Sequence, residues 1–507
     1  MKNYKGRCNN GHTNKYGDFT FLIIILLFAF YLLIFSIRPV SSATVTVGPS
    51  DCSASAVNMA ISRAAPGDTI ELSCAGTISG DAPVNLSGGK TLQGPGMKYP
   101  NPANSGTWPL IINSTASDGN AIIAITSAAN QEINRVTGFR FQGGSGATFG
   151  VTVTGAGTGK GGKGAFRIDN NYFDTLAIAS RLLWVDGDAG KLTGLVDNNV
   201  LYATYTKGGA VNFVGQDWKG TSSTCYGYDS KNRPFVFGDL DFIFFEDNYF
   251  FDGVIETSGG GGRYVVRHNI FDSDSIHNDW NAVDGHGADT GGWHCVGVVG
   301  GEIYNNAITG TDTSFAQAFH LRGGKWLVHN NSIQSGSIIL QEYRALGLQA
   351  SGGSCLSLEY NACSGAACCQ APCGVYNIQC PTDADFSKCW PLPNQITNTF
   401  IWNNIKNGGN IPAYVEETGY VRTYIAKNRD YWEPTSGLES ALPATCPADG
   451  NTFYGTTDSG KLYKCTSTNL WTLQYTPYIY PHPLRSADQI PSFDTTPPAA
   501  PRNLGVR

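Results

Sequence analysis

A short phrase centred on asparagine recurs through this 507-residue chain and limits the folds that it can adopt. The seven central residues are Asn171, Asn199, Asn248, Asn269, Asn306, Asn331 and Asn404. The residue three places before each of them is apolar: Ile168, Val196, Phe245, Val266, Ile303, Val328 and Ile401. The residue two places after is apolar in six copies, and Lys406 breaks the pattern in the seventh. This alternation predicts strands that turn one side toward a common core.

The spacing of the phrase indicates stacked repeats. Successive copies are 28, 49, 21, 37, 25 and 73 residues apart, which fits units of about 21–28 residues with insertions in the longer gaps. Asparagine amides stacked at one turn would bond the units above and below them. We therefore predict an all-β, single-stranded right-handed parallel β-helix over residues 44–435, with a Cys-rich insertion at about 351–390.

The N-terminal 43 residues are typical of a leader segment. Basic residues precede an apolar run over residues 19–37, and the small residues Ser41 and Ala43 follow it. This order predicts a signal peptide that is cleaved after Ala43. An uncleaved membrane anchor is the alternative, because 19 mostly apolar residues could span a bilayer. In both cases the rest of the chain would be secreted or held at the cell surface, with a membrane contact only through an uncleaved leader.

Each end of the predicted β-helix carries an added element. One face of residues 51–65 bears the apolar residues Val57, Ile61 and Ala64. They predict a helix that caps the first repeat, whose apolar cross-section would otherwise be exposed. Residues 436–485 would form a small Cys-containing appendage, and its Pro-rich end would lie extended on the surface. Residues 486–507 are typical of a linker.

Charge and cysteine usage narrow the possible partners. Loss of residues 1–43 would remove five basic residues and one acidic residue, which lowers the net charge from −6 to −10. A nucleic-acid partner is therefore not expected. Seven cysteines lie between Cys355 and Cys389, which in an exported chain favours a disulfide-stapled loop over a metal cluster. Cys52–Cys74 and Cys446–Cys465 are the predicted local disulfides, and we expect a monomer.

Several segments carry a family resemblance. The segment from Asn58 to Ile70 and the motif Leu92-Gln-Gly-Pro-Gly96 lie near the start of the mature chain. Later motifs are Arg267-His-Asn, Asp284-Gly-His-Gly, Arg322-Gly-Gly, Ile401-Trp-Asn-Asn and Tyr480-Pro-His-Pro-Leu. Together they resemble secreted bacterial right-handed parallel β-helix repeat proteins of the pectate-lyase-like superfamily, which has the pectin lyase fold. The resemblance covers most of residues 44–485 and implies this fold and an acidic polysaccharide as partner.

The residue two places before each repeated asparagine is predicted to point outward. We call these residues the outer column: Asp169, Asp197, Glu246, Arg267, Tyr304, His329 and Trp402. Since paired strands lie about 4.8 Å apart, neighbours in this column would form a ladder of side chains. Arg322 lies one strand before His329, and a polar loop over residues 279–287 would overhang the ladder.

This combination suits β-elimination on a uronate. Such a reaction needs a cation to neutralise the carboxylate, a base for the adjacent proton and an acid for the leaving oxygen. We predict that Arg267 and Arg322 neutralise the carboxylate and that His286 or Tyr304 acts as base or acid. His329 completes the predicted catalytic set. The predicted function is a secreted lyase of an acidic, uronate-containing polysaccharide.

Further residues near the loop are predicted to bind substrate or metal. Trp280 and Trp293 could stack on sugar rings, and Glu246 would contact the substrate from the outer column. Asp284 and Asp289 could hold a Ca²⁺ ion, which takes oxygen ligands.

Two other functions fit the same residues. A non-catalytic extracellular protein could use the rigid repeats to bind glycan or to build a surface layer. A glycoside hydrolase would need paired carboxylates, for which the pairs Asp284 with Asp289 and Asp272 with Asp274 are candidates. A zinc site is a further alternative for the four histidines His277, His286, His294 and His320, although no metal-binding helix motif is present.

Overall fold

The structure is a computed structural model. It describes residues 42–74, 76–78, 83–95, 110–112, 121–127, 130–141, 149–155, 163–173, 181–186, 191–202, 214–216, 230, 233–257, 261–273, 281–287, 297–310, 317–341, 396–416 and 425–485. The predicted leader, the Cys-rich insertion and the linker-like tail lie outside these residues. The chain divides into Met1–Ala43 and Thr44–Arg507. No helix in the described ranges is long and apolar enough to cross a membrane.

A twelve-stranded parallel sheet, the long sheet, runs through the protein. Its strands are β1 (Thr44–Val47), β2 (Thr69–Leu72), β5 (Thr91–Gln93), β8 (Asn130–Thr137), β11 (Lys163–Asp169), β14 (Lys191–Asp197), β17 (Ile243–Glu246), β20 (Arg263–Arg267), β23 (Gly300–Tyr304), β26 (Lys325–His329), β29 (Thr399–Trp402) and β33 (Tyr431–Trp432).

An eleven-stranded second sheet accompanies it. Its strands are β3 (Gly76–Ile78), β6 (Leu110–Ile112), β9 (Arg140–Phe141), β12 (Tyr172–Phe173), β15 (Val200–Tyr202), β18 (Tyr249–Phe251), β21 (Ile270–Asp272), β24 (Ala307–Ile308), β27 (Ser332–Ile333), β30 (Ile405–Lys406) and β31 (Gly409–Asn410). All pairings in this sheet are parallel except that of β30 with β31.

Two five-stranded parallel sheets complete the repeats. The N-terminal side sheet contains β4 (Val84–Ser87), β7 (Ala121–Ser127), β10 (Phe149–Gly155), β13 (Arg181–Asp186) and β16 (Val214–Gln216). The C-terminal side sheet contains β19 (Ile255–Thr257), β22 (Asn281–Gly285), β25 (Gln317–Leu321), β28 (Ile338–Leu340) and β32 (Ala413–Val415). The predicted loop over residues 279–287 is thus wrong in part, because Asn281–Gly285 pairs with β19 and β25 as a strand.

The chain visits the sheets in a repeating order. It contributes β11 to the long sheet, β12 to the second sheet and β13 to a side sheet, and then returns to the long sheet with β14. Each strand pairs with the equivalent strand of the next repeat, in parallel register. The protein is therefore predominantly β, and its long stacked sheets are compatible with a β-helix or solenoid.

The seven repeated asparagines form one continuous hydrogen-bonded stack, as the sequence predicts. The Nδ2 atom of Asn269 donates to Oδ1 of Asn306 at 3.0 Å, and Nδ2 of Asn306 donates to Oδ1 of Asn331 at 3.0 Å. Equivalent bonds join the other members from Asn171 to Asn404. Each amide also satisfies a carbonyl at the turn, such as Val266 O for Asn306 at 2.9 Å. The stack thus supplies the bonds that a tight backbone bend removes from the strands.

A left-handed residue precedes each stacked asparagine. These residues are Asn170, Asn198, Asp247, His268, Asn305, Asn330 and Asn403, with φ between 51° and 58°. Asn and Asp tolerate this conformation better than other non-glycine residues. The turn therefore needs a left-handed residue followed by the stacking asparagine, which explains the frequent Asn-Asn pairs.

The apolar positions of the phrase lie in the core. Phe245, Val266, Ile303 and Val328 are at most 1% exposed. Phe250 and Phe271, two places after their asparagines, stack at 4.6 Å between ring centroids. Lys406, the exception in the seventh copy, is partly exposed and donates to Gly336 O.

The two predicted end elements are present. Helix α1 (Ala54–Arg63) begins at Ser53, whose side chain accepts from the amide of Ala56, and it contacts β1, β2 and β4. The appendage contains a sheet of β34 (Thr435–Gly437), β35 (Phe453–Thr456), β36 (Leu462–Ser467) and β37 (Leu470–Tyr475), with short 3₁₀ turns at Glu439–Ala441 and Pro483–Arg485. Disulfides join Cys52 to Cys74 and Cys446 to Cys465, as predicted.

Candidate functional site

The outer column forms as predicted on the long sheet. Each member is the direct partner of the next across parallel strands, in the order Asp169, Asp197, Glu246, Arg267, Tyr304, His329 and Trp402. The register holds even where 49 or 73 residues separate two copies of the phrase. Residues far apart in the sequence are therefore neighbours on one face of the sheet.

The outer column is buried, however. Glu246, Arg267 and His329 are 0% exposed, and Tyr304 is 2% exposed. A segment that continues from β37, residues 476–485, covers Glu246 and Arg267 and packs against the apolar cluster that contains Tyr304, and we call it the strap. His329 lies instead against Trp402 and Tyr475. The Pro-rich end that we predicted to lie on the surface thus runs across part of the predicted catalytic set.

All three guanidinium nitrogens of Arg267 are engaged. Nε donates to Glu246 Oε2 at 2.8 Å, and Nη1 donates to Tyr304 Oη at 2.9 Å. Nη1 and Nη2 also donate to two strap carbonyls, Tyr478 O at 2.7 Å and Ile479 O at 2.9 Å. With the strap in place, Arg267 cannot also bind the carboxylate of a polysaccharide.

His329 lies in an aromatic stack. Its ring is parallel to Tyr304 at 4.8 Å and to Trp402 at 4.2 Å. Among the described residues, neither ring nitrogen has a hydrogen-bond partner. Burial lowers the pKa of His329 to about 3 and raises the pKa of the Tyr304 phenol above its usual range. Both side chains are therefore neutral at physiological pH, and neither reaches solvent as a proton donor or acceptor.

Arginines neutralise the acidic end of the outer column. Arg135 Nε donates to Asp169 at 2.7 Å, and Arg167 Nε donates to Asp197 at 2.9 Å. Burial raises the pKa of Asp197 to about 6, although Arg167 acts against this shift. Since a buried charge is costly without a partner, these pairs let the carboxylates lie beneath the strap.

Sequence reasoning missed Glu302, which lies beside the outer column. Its Oε2 accepts from Tyr475 Oη at 2.6 Å, and its Oε1 accepts from the amide of Gly238 at 2.6 Å. Burial raises the pKa of Glu302 to about 7. The available signal was its position two residues before Tyr304, which places it on the same face of β23.

A second polar group lies on the C-terminal side sheet. His286, Arg322, Gln341 and Glu416 each follow directly after a strand of that sheet. Backbone amides continue the strand pairing here. The amide of Arg322 donates to Gly285 O at 2.8 Å, that of Gln341 to Leu321 O at 2.8 Å, and that of Glu416 to Leu340 O at 3.0 Å. Asp284 and His320 pair in register in the neighbouring column. We call these six residues the side-sheet cluster: Asp284, His286, His320, Arg322, Gln341 and Glu416.

Hydrogen bonds hold the imidazole of His320. Its Nε2 donates to Gln341 Oε1 at 3.0 Å, and Gln341 Nε2 donates to Glu416 Oε2 at 3.0 Å. Asn281 Nδ2 lies 3.5 Å from Nδ1. Burial lowers the pKa of His320 to about 4, with Arg322 adding to the shift and Asp284 opposing it. His320 is therefore a neutral imidazole that can accept a proton.

Arg322 and Asp284 form an ion pair beside this imidazole. Arg322 Nε donates to Asp284 Oδ1 at 3.1 Å, and Nη2 contacts Oδ2. The same Oδ1 atom lies 3.8 Å from His320 Nδ1, so Asp284 would stabilise His320 once it is protonated. His286 Nδ1 donates to Gly287 O at 2.9 Å. His286, Arg322 and Glu416 are partly exposed, in contrast to the outer column.

The structure divides the predicted site residues between two sheets. Arg267, Tyr304, His329 and Glu246 belong to the long sheet, whereas Asp284, His286 and Arg322 belong to the C-terminal side sheet. Trp280, Trp293 and Asp289 lie outside the described residues, as do His277 and His294 of the zinc alternative. The single predicted catalytic ladder is therefore replaced by a buried column and a partly exposed cluster.

The described residues do not form a calcium site by themselves. Both oxygens of Asp284 face the Arg322 guanidinium, so a cation there would compete with an arginine. Within the described ranges, no group of three or more His, Cys, Asp or Glu side chains could hold a metal ion. The prediction for Ca²⁺ thus depends on Asp289.

Sequence reasoning also missed His320 as a proton acceptor, together with Gln341 and Glu416. The signal was again periodic, because each of these residues lies at or just after the end of a short apolar strand. No asparagine phrase marks these strands, so their register was not evident.

Comparison with known proteins finds no matching family model, no matching curated protein and no matching solved structure.

Proposed function

We propose that this protein is a secreted right-handed parallel β-helix of the pectate-lyase-like superfamily that cleaves an acidic polysaccharide by β-elimination. The stacked parallel register, the asparagine stack and the two disulfides support this proposal. We assign the reaction to the side-sheet cluster rather than to the outer column.

One observation carries this assignment. The cluster brings a partly exposed cation, Arg322, next to a buried neutral imidazole, His320. The outer column contains similar groups, but the strap occupies its arginine. A polymer can approach only side chains that are accessible along a face, and His286, Arg322 and Glu416 meet this condition. His320 is 9% exposed and lies directly beside them.

The chemistry follows from these groups. Arg322 would pair with the uronate carboxylate and so make the proton on the adjacent carbon more acidic. His320 would take that proton, with Asp284 stabilising the imidazolium. The released electron pair forms a carbon–carbon double bond as the glycosidic carbon–oxygen bond breaks. The leaving oxygen takes a proton from His286.

Remaining predicted residues have supporting roles in this proposal. Trp280 and Trp293 would stack on sugar rings of the bound polymer. Asp289 and Asp284 would hold Ca²⁺ only when the substrate carboxylate competes for Arg322. Arg267, Tyr304, His329 and Glu246 would stabilise the fold.

A non-catalytic glycan-binding protein is the second candidate, and two observations favour it. Four of the predicted substrate or catalytic side chains, Glu246, Arg267, Tyr304 and His329, are buried. In addition, a pKa of about 4 makes His320 a weak base near neutral pH.

A product assay separates the two functions. The chain from Thr44 onward would be incubated with a panel of acidic polysaccharides, with and without calcium, while absorbance of unsaturated products is recorded. We expect cleavage of at least one polymer by the unaltered protein and a loss of about 100-fold or more in His320→Gln. The control Arg63→Ala changes an exposed helix residue and should keep full activity.

The outcomes are distinct. Binding without unsaturated product, in affinity electrophoresis on the same polymers, would replace the lyase with the glycan-binding protein. Neither binding nor product on any acidic polymer would refute both candidates.

A further inference from the structure

The strap lies on the long sheet without joining it. In the described part of the chain, no backbone–backbone hydrogen bond links residues 476–485 to the long sheet. Prolines at positions 477, 481 and 483 have no amide hydrogen, so the strap cannot pair as a regular strand. Its main chain is held by side chains instead, with Leu484 O accepting from Arg167 at 3.2 Å and the amide of His482 donating to Glu246 at 3.0 Å.

Little of the strap is buried. His482 is its one fully buried residue at 2% exposure, and its ring packs 4.6 Å from Phe244. Ile479 is 63% exposed and Tyr480 is 41% exposed. The strands beneath it, by contrast, combine a full ladder of hydrogen bonds with a buried core. A segment with few buried apolar contacts opens at a lower free energy than the core that it covers.

Charged contacts concentrate at the C-terminal end of the strap. The Arg485 guanidinium contacts Asp247 and lies 3.4 Å from Glu246 and 3.6 Å from Asp197. Its side chain keeps 16% exposure, so solvent and salt reach it. One arginine at the edge thus pairs with Asp247 and adds a second cation beside Glu246 and Asp197, which Arg267 and Arg167 already neutralise.

We propose that the strap is a charge-latched lid that opens while the long sheet stays folded. Arg485 is the latch, and opening uncovers Arg267, Tyr304 and Glu246. Tyr475 remains as the anchor, because it belongs to β37 and its hydroxyl donates to the buried Glu302. Salt should favour the open form, since it screens the contacts of Arg485 more than it affects the buried core.

Hydrogen exchange of the full chain tests the lid directly. Exchange is followed by mass spectrometry in peptides that cover residues 476–485 and, separately, β26. We expect strap amides in the unaltered protein to exchange faster than those of β26, and faster still in high salt. Arg485→Ala should accelerate exchange in the strap by about tenfold or more, because hydrogen bonds to Asp247 and Glu246 and an ion pair with Asp197 are lost. The β26 peptide should not change.

A second readout and a matched control complete the test. Arg267 should react faster with phenylglyoxal in Arg485→Ala than in the unaltered protein, because its guanidinium becomes accessible. Lys461→Ala removes an ion pair with Glu439 on the same appendage and should leave strap exchange unchanged. The proposal is overturned if Arg485→Ala does not accelerate the strap, if strap and β26 accelerate together, or if Lys461→Ala has the same effect.

Discussion

The outer column and the side-sheet cluster arise from the same stacking, yet they differ in exposure. Both are lines of polar residues on successive parallel strands. In the outer column the strap covers Arg267, and this arginine holds Glu246, Tyr304 and two strap carbonyls. In the cluster Arg322 holds Asp284 and remains partly exposed.

The difference lies in what covers each sheet. A polar ladder on a repeat protein is a possible site only where no other part of the chain is bound to it. Buried ion pairs hold a covering segment in place, but they withdraw the same groups from substrate. We therefore expect the outer column to stabilise the folded protein and the side-sheet cluster to bind the polysaccharide.

Removal of the Arg267 guanidinium should have the largest effect. In Arg267→Ala, buried Glu246 loses its closer cation and keeps only Arg485 at 3.4 Å, and two strap carbonyls lose their donors. We expect the free energy of unfolding to fall by about 3–5 kcal/mol. Urea denaturation followed by tryptophan fluorescence measures this change.

The exposed Arg63 provides the control for that experiment. Arg63→Ala should alter stability by about 0.5 kcal/mol or less, because the side chain lies at the solvent-exposed end of α1. A loss in Arg267→Ala as small as in this control would show that the outer column does not hold the strap.

Loss of one stacked asparagine should affect both regions together. Asn306→Ala removes the acceptor for the Asn269 amide and leaves Val266 O without its side-chain donor. We expect a loss of about 3 kcal/mol in unfolding free energy, since several buried groups become unsatisfied. Asn85→Ala, on an exposed position of β4, is the matched control. Unchanged stability in Asn306→Ala would contradict the stack as the common framework.

The pH dependence of the unfolding free energy should show the protonation of His329. Its pKa is about 3 in the folded protein and about 6.5 when unfolded, so its contribution is complete above pH 6.5 and is lost as pH falls toward 3. At pH 5 this loss is about 2 kcal/mol. His329→Phe keeps an aromatic ring between Tyr304 and Trp402 and removes the titration.

Comparison of the unaltered protein with His329→Phe isolates the contribution of His329 to the pH dependence of stability. Thermal unfolding of the unaltered protein and of His329→Phe from pH 8 to pH 4.5 gives the difference in slope. Glu302 contributes to stability with the opposite sign, because burial raises its pKa to about 7 in the folded protein. Its contribution is complete below pH 4.5 and is lost as pH rises to 7. Because both proteins contain Glu302, its contribution to the pH dependence cancels in the comparison. Equal slopes would mean that His329 is not buried in a neutral state.

The asparagine phrase was sufficient to predict seven of the twelve strands of the long sheet, from β11 to β29, and their register. Each copy of the phrase, from Asn171 to Asn404, has apolar residues on both sides of the asparagine except the last. Each copy therefore indicates where the chain turns and which side of the strand faces the core. The side sheets were harder to predict. Strands such as Ile338–Leu340 are three residues long and have no repeated polar marker, so periodicity cannot distinguish them from loop.

The site was predicted in its residue types but not in its exposure. Tyr304 and His329 do lie side by side, as the register requires. The burial of the neighbouring Arg267 depends on contacts between β20 and the strap, which are more than 200 residues apart in sequence: 211 for Arg267 with Tyr478. No local pattern in residues 476–485 specifies which sheet they cover, so the strap could be recognised only in three dimensions.

The most direct test of the account exchanges arginine for lysine once in each region. Arg267→Lys and Arg322→Lys both keep the positive charge but lose the planar guanidinium fork. Unfolding free energy and affinity for the acidic polymer that the unaltered protein cleaves or binds are measured for both. We predict that Arg267→Lys loses about 2–3 kcal/mol of stability and keeps its affinity, while Arg322→Lys loses about 1 kcal/mol or less and binds about tenfold more weakly. The opposite pattern, with affinity lost in Arg267→Lys and retained in Arg322→Lys, would contradict the account.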